Sequence, residues 1–560
     1  MNKLSFNLIV SCFLALLLSA HLAGYFSVHQ LAIPADAAMR LSCGIQIADG
    51  ARPYIDFLDN SSPFALYLAS LPGLVSKIVF IHPVSIFNLM VLLLTLVSLL
   101  LVLNCGRGRS PRLILLQFCL PAIVIAVAIF QLYFLNHFGQ EGGLFFLLFL
   151  PYLTQRYLSL SSLNTHKQAL PLLIGFLAAL GLLLNPVFLL ALAAVEFTCL
   201  FSLGDISLFK LKSRYFTAEL KACLLSLLVL CLALFAMVPS VVLEYLGPIS
   251  RINQLTFEYF NEDLSYVGKS PDRRDLVYAF VIFFVLSLPV ACRCLLTRLM
   301  CLMSAFGFAC FVFSGTLFSH QGILMIAYSL TALTLSANRY VRSFRYAKVW
   351  SGRLNAWCSA RLTRNVFLVV LPALIVICFV ASSFVALKLS KGKAFSLREL
   401  GYYGFGLERD LSYFSKTVRA ESSPRDCVWI YSEQISPAFP LLTQLRRKPG
   451  YLVWGFPLHT LKILHERGTP EQIAQLVHFE ATMYDRLRIE ALSPLPPTLI
   501  LVEEGEVRDL FKANNIVAII EQFYSPLDSC SPLNGDEIDN HEPYEYLGYR
   551  VCFSADKLRK

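Results

Sequence analysis

Residues 84–103 read VSIFNLMVLLLTLVSLLLVL, twenty positions without one charged side chain. As a helix rising about 1.5 Å per residue, such a run crosses about 30 Å of hydrocarbon, and in lipid only a closed barrel or a helix satisfies its own backbone. Comparable runs lie on both sides, at 4–26, 113–132, 143–158, 170–184, 187–203, 222–243, 276–291, 299–315, 322–338 and 366–387. About eleven transmembrane helices follow. With 56% hydrophobic and 15% charged residues among 560, and a mean hydropathy of +0.62, an all-soluble enzyme is excluded. The run at 4–26, behind Lys3, also admits a cleaved signal peptide with SAHLA as its site; both readings put residue 30 on the outer face.

The formal net charge of +10 does not point to nucleic acid, because the basic residues are dispersed in short loops. With the N-terminus in the cytoplasm, the inner loops carry Arg107, Arg109 and Arg112, then Lys210, Lys212, Arg214 and Lys221, then Arg293 and Arg298. The next, from Arg339 to Arg364, holds seven basic residues and no acid, and with Trp350 and Trp357 it suits the anionic inner leaflet. Of the fourteen acids before Lys388, eleven fall in loops assigned to the outer face. The pattern predicts a multi-pass protein of the cytoplasmic membrane with its chemistry, and its C-terminus, facing outward.

After Lys388 the composition becomes that of a soluble domain, with 23 of the 37 acids. Two regions are expected: 1–387, a polytopic helical membrane domain, and 388–560, an extracytoplasmic α/β domain. In the second, CVWIYSE, PTLILVEE, NIVAIIEQF and LGYRVCFS read as strands of a mixed sheet and 471–491 as a helix. Most of the sixteen Cys sit singly in apolar runs as small hydrophobes, and no zinc-like spacing occurs. Cys530 and Cys552 could pair in an oxidising compartment.

The segment after the first run carries the most information. ADAAMRLSCGIQIADG from Ala35 places Ala38, Leu41, Ile45 and Ala48 at helical spacing, with Asp36 and Arg40 on another face. A short helix on the membrane surface is expected, followed by GARPYIDFLDNSSPFALYL (50–68), a Pro-containing turn leading into a second amphipathic stretch.

Here the chain resembles the GT-C superfamily of integral-membrane glycosyltransferases, which includes protein O-mannosyltransferases and lipid A aminoarabinose transferases. The resemblance rests on the Asp soon after the first span, the segment GARPYIDF, a small or polar run before Pro, and FGQEGGLFFLLFLPYL (138–153), which is similar to an acidic second-loop motif. It implies a catalytic base or acceptor-positioning carboxylate at Asp36. Many relatives have a second acid next to it; Ala37 stands here, so no second-carboxylate or metal role transfers to that position.

Sugar transfer from a polyprenyl phosphate needs a carboxylate to deprotonate an acceptor hydroxyl and cations to steady the departing phosphate. Asp36 and Glu141 are the expected catalytic residues; Arg40, Arg52, Tyr54, Asp56, Gln140 and His320 are expected to bind substrate. Arg251, Lys269, Arg273 and Arg274 in the long outer loop are alternative phosphate ligands. Each residue also has a structural reading: Asp36 as an N-cap, Asp56 and Asp59 as turn residues bonding their own backbone, Glu141 as a helix-start acid, and His137 and His320 as amphipathic. Glu196, well inside a run, either pairs with a polar group in the bundle or marks a shifted span. No cofactor is specified, and a divalent metal is an open requirement. The expected partners are a polyprenyl-phosphate sugar, a glycan, lipid or protein acceptor, and membrane lipids. The rival functions are a transporter or scaffold for lipid-linked glycans and a surface-polysaccharide polymerase or ligase. A transporter should show charges within spans and repeated halves; mid-span charges are nearly absent and no repeat is evident.

Overall fold

The structure, a computed structural model, describes residues 31, 33–105, 123, 127, 138–160, 169–202, 215–259, 271–313, 322–350, 412–432, 435, 438–453, 458, 461–462, 465–466, 468–503, 505–527 and 546–551. In chain order the helices are α1 (Ala35–Ala48), α2 (Pro63–Val79), α3 (Pro83–Cys105), α4 (Glu141–Leu160), α5 (Ala169–Leu184), α6 (Phe188–Phe201), α7 (Ala218–Met237), α8 (Pro239–Glu244), α9 (Ser250–Tyr259), α10 (Pro271–Ala291), α11 (Leu295–Phe313) and α12 (Ile323–Trp350). The C-terminal part adds α13 (Ser412–Glu421), β1 (Val428–Tyr431), α14 (Ala438–Gln444), α15 (Pro470–Ala491), β2 (Leu499–Glu503), α16 (Glu506–Ala513), α17 (Ile516–Phe523), β3 (Tyr524–Pro526) and β4 (Tyr546–Val551). The expected spans at 4–26, most of 113–132, and 366–387 lie outside the described residues, as do His137, His320, Cys530 and Cys552.

Two compact units emerge. The first comprises Met1–Gln30, Leu89–Cys231 and Glu262–Phe405; the second comprises Leu31–Asn88, Leu232–Asn261 and Gly406–Lys560. Among the described residues α3, α7 and α11 are each long and apolar enough to cross a membrane, and five shorter apolar helices accompany them. The chain is an integral membrane protein. On α7 the side chains of Leu224, Leu225, Leu228 and Val229 are exposed, as expected of a helix whose solvent is lipid rather than water.

Aromatic packing joins the helices of the first unit. Phe145 on α4 stacks on Phe188 of α6 with ring centres 4.2 Å apart, and Phe146 meets Tyr328 of α12 edge-on at 5.0 Å. Phe280 on α10 stacks on Phe308 of α11 at 4.8 Å. The run expected as one helix over 222–243 instead ends at Met237. Val238 leaves helical geometry (φ −139°, ψ 59°) because it precedes Pro239, whose ring disfavours the α region in its neighbour. The chain restarts as α8, passes through a π-helical turn at Tyr245–Ile249 and continues as α9.

The second unit has one continuous core. Ala37, Ala38 and Leu41 of α1, Phe57 and Leu58 of the turn, and Leu66 of α2 are buried in the same cluster as Trp429, Leu452, Leu487 and Ile500. α1 and α2 cross closely: a β-carbon on Gly44 would fall 2.1 Å from the Ala69 carbonyl oxygen, so this crossing requires glycine. The Ser62 hydroxyl caps α2 by accepting from Ala65 N at 3.2 Å, with Pro63 at the first helical position.

The sheet is mixed, in the order β1-β2-β4-β3, with β1 and β2 parallel and β4 antiparallel to both of its neighbours. β1 and β2 are buried on both faces, so they read as unbroken apolar runs rather than alternating ones. NIVAIIEQF, expected as a strand, is mostly helix α17. Ile516 and Ile520, spaced i, i+4, are its buried positions, and packing overrides their β-branched preference. Strand β3 begins only at Tyr524.

Candidate functional site

The described site residues fall in both units. In the second unit Pro34, not Asp36, occupies the N-cap of α1. Asp36 sits in the first turn, where a carboxylate favours the helix dipole, and is nine-tenths buried. Arg40 stands one turn later on the same face.

The segment between α1 and α2 folds back tightly. Tyr54 adopts a left-handed conformation (φ 65°), and its hydroxyl donates to the Ser61 carbonyl at 2.5 Å. Its ring lies 5.7 Å from that of Tyr245. Asp56 accepts from Arg52 N at 2.8 Å and from the Arg52 guanidinium at 3.3 and 3.4 Å, a local pair on the surface. Partial burial pushes the Asp56 carboxyl up, but these contacts outweigh it and leave it below the ordinary range.

Asp59 behaves differently. It is 1% exposed, accepts from Ser61 N at 2.7 Å, and lies 3.9 Å from the Cys43 sulfur of α1. Burial raises its carboxyl above the ordinary range, while Ser61 and the positive charge of Arg40 offset part of the rise. Burial, then the charge of Asp59, pushes the Cys43 thiol and the Tyr54 phenol well up. Both aspartates bond local backbone, as expected of turn residues, but Asp59 is also enclosed under α1 within range of Arg40. This burial is not legible locally, because nothing near them distinguishes the two aspartates of YIDFLD, whereas the helical spacing singles out Asp36 and Arg40.

Hydrogen bonds hold this segment to residues 443–453. Gln444 Nε2 donates to the Leu31 carbonyl at 2.9 Å, Thr443 Oγ1 to the Ala38 carbonyl at 2.9 Å, and Leu58 N to the Tyr451 carbonyl at 2.7 Å. His82, at the far end, sets Nε2 3.2 Å from the Gln444 carbonyl. Its pKa falls to about 4 through burial and then the nearby Arg446, with the Gln444 carbonyl partly opposing. Asn253 of α9 donates to the Asn60 carbonyl at 3.1 Å, so this part of the expected long loop also meets the turn. Arg251 stands on the same helix.

In the first unit Gln140 is buried and Glu141 opens α4. Asn185 Nδ2 lies 3.5 Å from Glu141 Oε2, which sets this carboxylate against the turn between α5 and α6. Arg274 lies in α10; Lys269 is outside the described residues, and of Arg273 only the backbone is described.

The same unit contains a charge cluster that the sequence half disclosed. Glu196 pairs with a polar group in the bundle, and that group is Arg156, fully buried on α4. Arg156 Nε donates to the two Glu196 oxygens at 3.0 and 3.2 Å, and Nη2 also donates to Glu196 Oε2. Nη1 donates to the Tyr215 carbonyl and Thr217 Oγ1, each at 2.8 Å, while Tyr152 donates to Glu196 at 2.7 Å. Thr217 in turn donates to Glu219, also fully buried, at 2.6 Å.

Among the described residues no three His, Cys, Asp or Glu side chains gather at metal-ligand spacing. The donors around Asp59, the Ser61 amide and the Cys43 thiol, do not compose a divalent-metal set.

No protein-family model matches the chain, and no curated protein matches it in sequence. Among solved structures it is similar to the archaeal oligosaccharyltransferase AglB from Archaeoglobus fulgidus, solved in complex with an inhibitory peptide and a dolichol-phosphate. The TM-score is 0.46 at 11% identity, covering 93% of this chain and 72% of that one.

Proposed function

We propose that the chain is a membrane glycosyltransferase that moves a sugar from a polyprenyl-phosphate carrier to an acceptor hydroxyl on the outer face of the membrane. The observation that carries this reading is the burial of two carboxylates, Asp36 and Asp59, in one short segment, with Arg40 one turn after Asp36 on the same helix. A surface connector needs no such burial, which costs free energy unless the charges are matched. The resemblance of GARPYIDF to the GT-C pattern supports the same reading.

In the proposed reaction Asp36 takes the proton of the acceptor hydroxyl as its oxygen attacks the anomeric carbon. The bond from that carbon to the phosphate oxygen breaks, its electron pair stays on the phosphate, and the configuration inverts. Arg40 and Arg52 neutralise the charge that develops on the phosphate. Tyr54 and Asp56 shape the segment.

The test is transfer of labelled sugar from polyprenyl phosphates in membranes, comparing wild type with Asp36→Asn at equal expression. Loss of transfer by at least about a hundredfold is expected for a general base. Transfer at the wild-type rate in the Asn variant would remove Asp36 from the mechanism.

One observation favours transport of lipid-linked glycans instead: the buried Arg156 cluster supplies the ionisable groups inside helices that a transporter needs. Carrier-lipid flux in proteoliposomes that survives Asp36→Asn but fails in Arg156→Met would select that reading.

A further inference from the structure

Tyr451 links two groups far apart in sequence. Its amide donates to Glu490 Oε2 at 2.8 Å, and its carbonyl accepts from Leu58 N at 2.7 Å. Leu58 and Leu452 form a parallel bridge, with Val453 N lying 3.5 Å from the Leu58 carbonyl. The next residue is Asp59, whose carboxylate is set between Ser61 N and the Cys43 sulfur.

The 450–453 segment has little freedom. A β-carbon on Gly450 would lie 2.2 Å from Trp429 Nε1 and 2.8 Å from the Tyr431 hydroxyl, so the backbone is pressed against two side chains of strand β1. Glu490, in the last turn of α15, directs its other oxygen to the Cys427 sulfur at 3.5 Å. An apolar residue at 490 would fill this space without the cost of burying a carboxylate. The carboxylate accepts from the Tyr451 amide and the Cys427 thiol and also faces the Trp429 indole, and through the Tyr451 amide it bears on the Leu58 bridge.

We propose that Glu490 is a positioning residue for Asp59, acting through Tyr451 and Leu58, so that the C-terminal domain sets where the buried carboxylate of the first segment stands. The consequence for sugar transfer rests on the function proposed above; the positioning itself does not.

The test uses the full-length protein in detergent or nanodiscs. Amide hydrogen exchange is followed at Leu58 and in the β1–β2 pair for wild type, Glu490→Ala, Glu490→Gln and, as a control for general loss of stability, Ile520→Ala in the same domain. In Glu490→Ala the Leu58 amide is expected to exchange about tenfold faster or more, while Ile500 and Leu501 keep their protection. Glu490→Gln, which retains an acceptor oxygen of the same reach, restores slow exchange at Leu58. Labelling of Cys43 by a maleimide accelerates in the Ala variant and returns to the wild-type rate in the Gln variant.

Unchanged Leu58 exchange in Glu490→Ala, failure of Gln to rescue, or an equal acceleration in Ile520→Ala would each overturn the proposal. If sugar transfer is absent from the wild type while Leu58 responds as expected, the function reading fails and the positioning stands. If transfer is present and Leu58 does not respond, the reverse holds.

Discussion

Arg156 and Glu196 form a buried, multiply bonded ion pair between α4 and α6, and the guanidinium extends the contact to the backbone at Tyr215 and to Thr217 before α7. Three segments of the first unit therefore meet at one side chain. Glu219 brings a second carboxylate, 3.9 Å from Arg156 Nη1, and its Oε2 has no hydrogen-bond partner among the described residues. Arg156→Met strands the Glu196 charge and is expected to cost about 3–5 kcal/mol. Glu219→Gln removes the less well matched charge and is expected to be neutral or stabilising. Unfolding in mixed micelles, followed by tryptophan fluorescence, measures both.

Asp59 makes stability depend on pH in a stated direction. Its folded pKa lies above the unfolded value, so the folded state holds the proton more tightly. Its contribution is therefore fully present below the ordinary carboxylate range and is lost as pH rises through the raised pKa. Asp59→Asn should remove this step and leave the protein more stable than wild type at neutral pH. Thermal melts across pH 4 to about 8, the span over which carboxylates and His titrate, check the sign; a wild-type melting temperature that rises through the step in question would contradict it.

His82 acts in the opposite sense. With a folded pKa of about 4 against the ordinary imidazole value of 6.5, the folded state excludes the proton. Stability contributed by neutral His82 is lost as pH falls from 6.5 toward about 4. His82→Gln should flatten that limb while leaving the melting temperature at pH 8 nearly unchanged.

Gly44→Ala should force α1 away from α2, because the added carbon meets backbone rather than a movable side chain. Overpacking of this kind costs about 1–3 kcal/mol. Faster maleimide labelling of Cys43, the adjacent residue, would report the opened crossing alongside the lower melting temperature.

Thr443→Val keeps the shape but withdraws the hydrogen bond to the Ala38 carbonyl. A loss of about 1 kcal/mol is expected, with a larger effect on sugar transfer than on stability if the held shape of α1 matters to the reaction. Parallel measurement of melting and of transfer rate separates the two.

Much of the fold was legible because the deciding signals were local. The uncharged run at 84–103 and the 3.6-residue period of ADAAMRLSCGIQIA need only neighbouring residues to be read, and both are helices in the structure. The strand CVWIYSE was read in the same way. Other features depend on partners remote in sequence. Whether NIVAIIEQF lies flat or coils is decided by what Ile516 and Ile520 pack against. Asp56 and Asp59 carry the same chemistry three residues apart, and only the position of α1 over the turn makes one a surface ion-pair member and the other a buried acid. Glu196 stands out within its apolar run, but its match lies 40 positions earlier, and no local signal in the sequence singles out Arg156.

The groups that fasten Leu31 and Ala38 are made 413 and 405 positions later. During synthesis the start of α1 therefore waits for these two bonds until about four hundred further residues have been made, so the shape of this segment is completed only late in the life of the nascent chain.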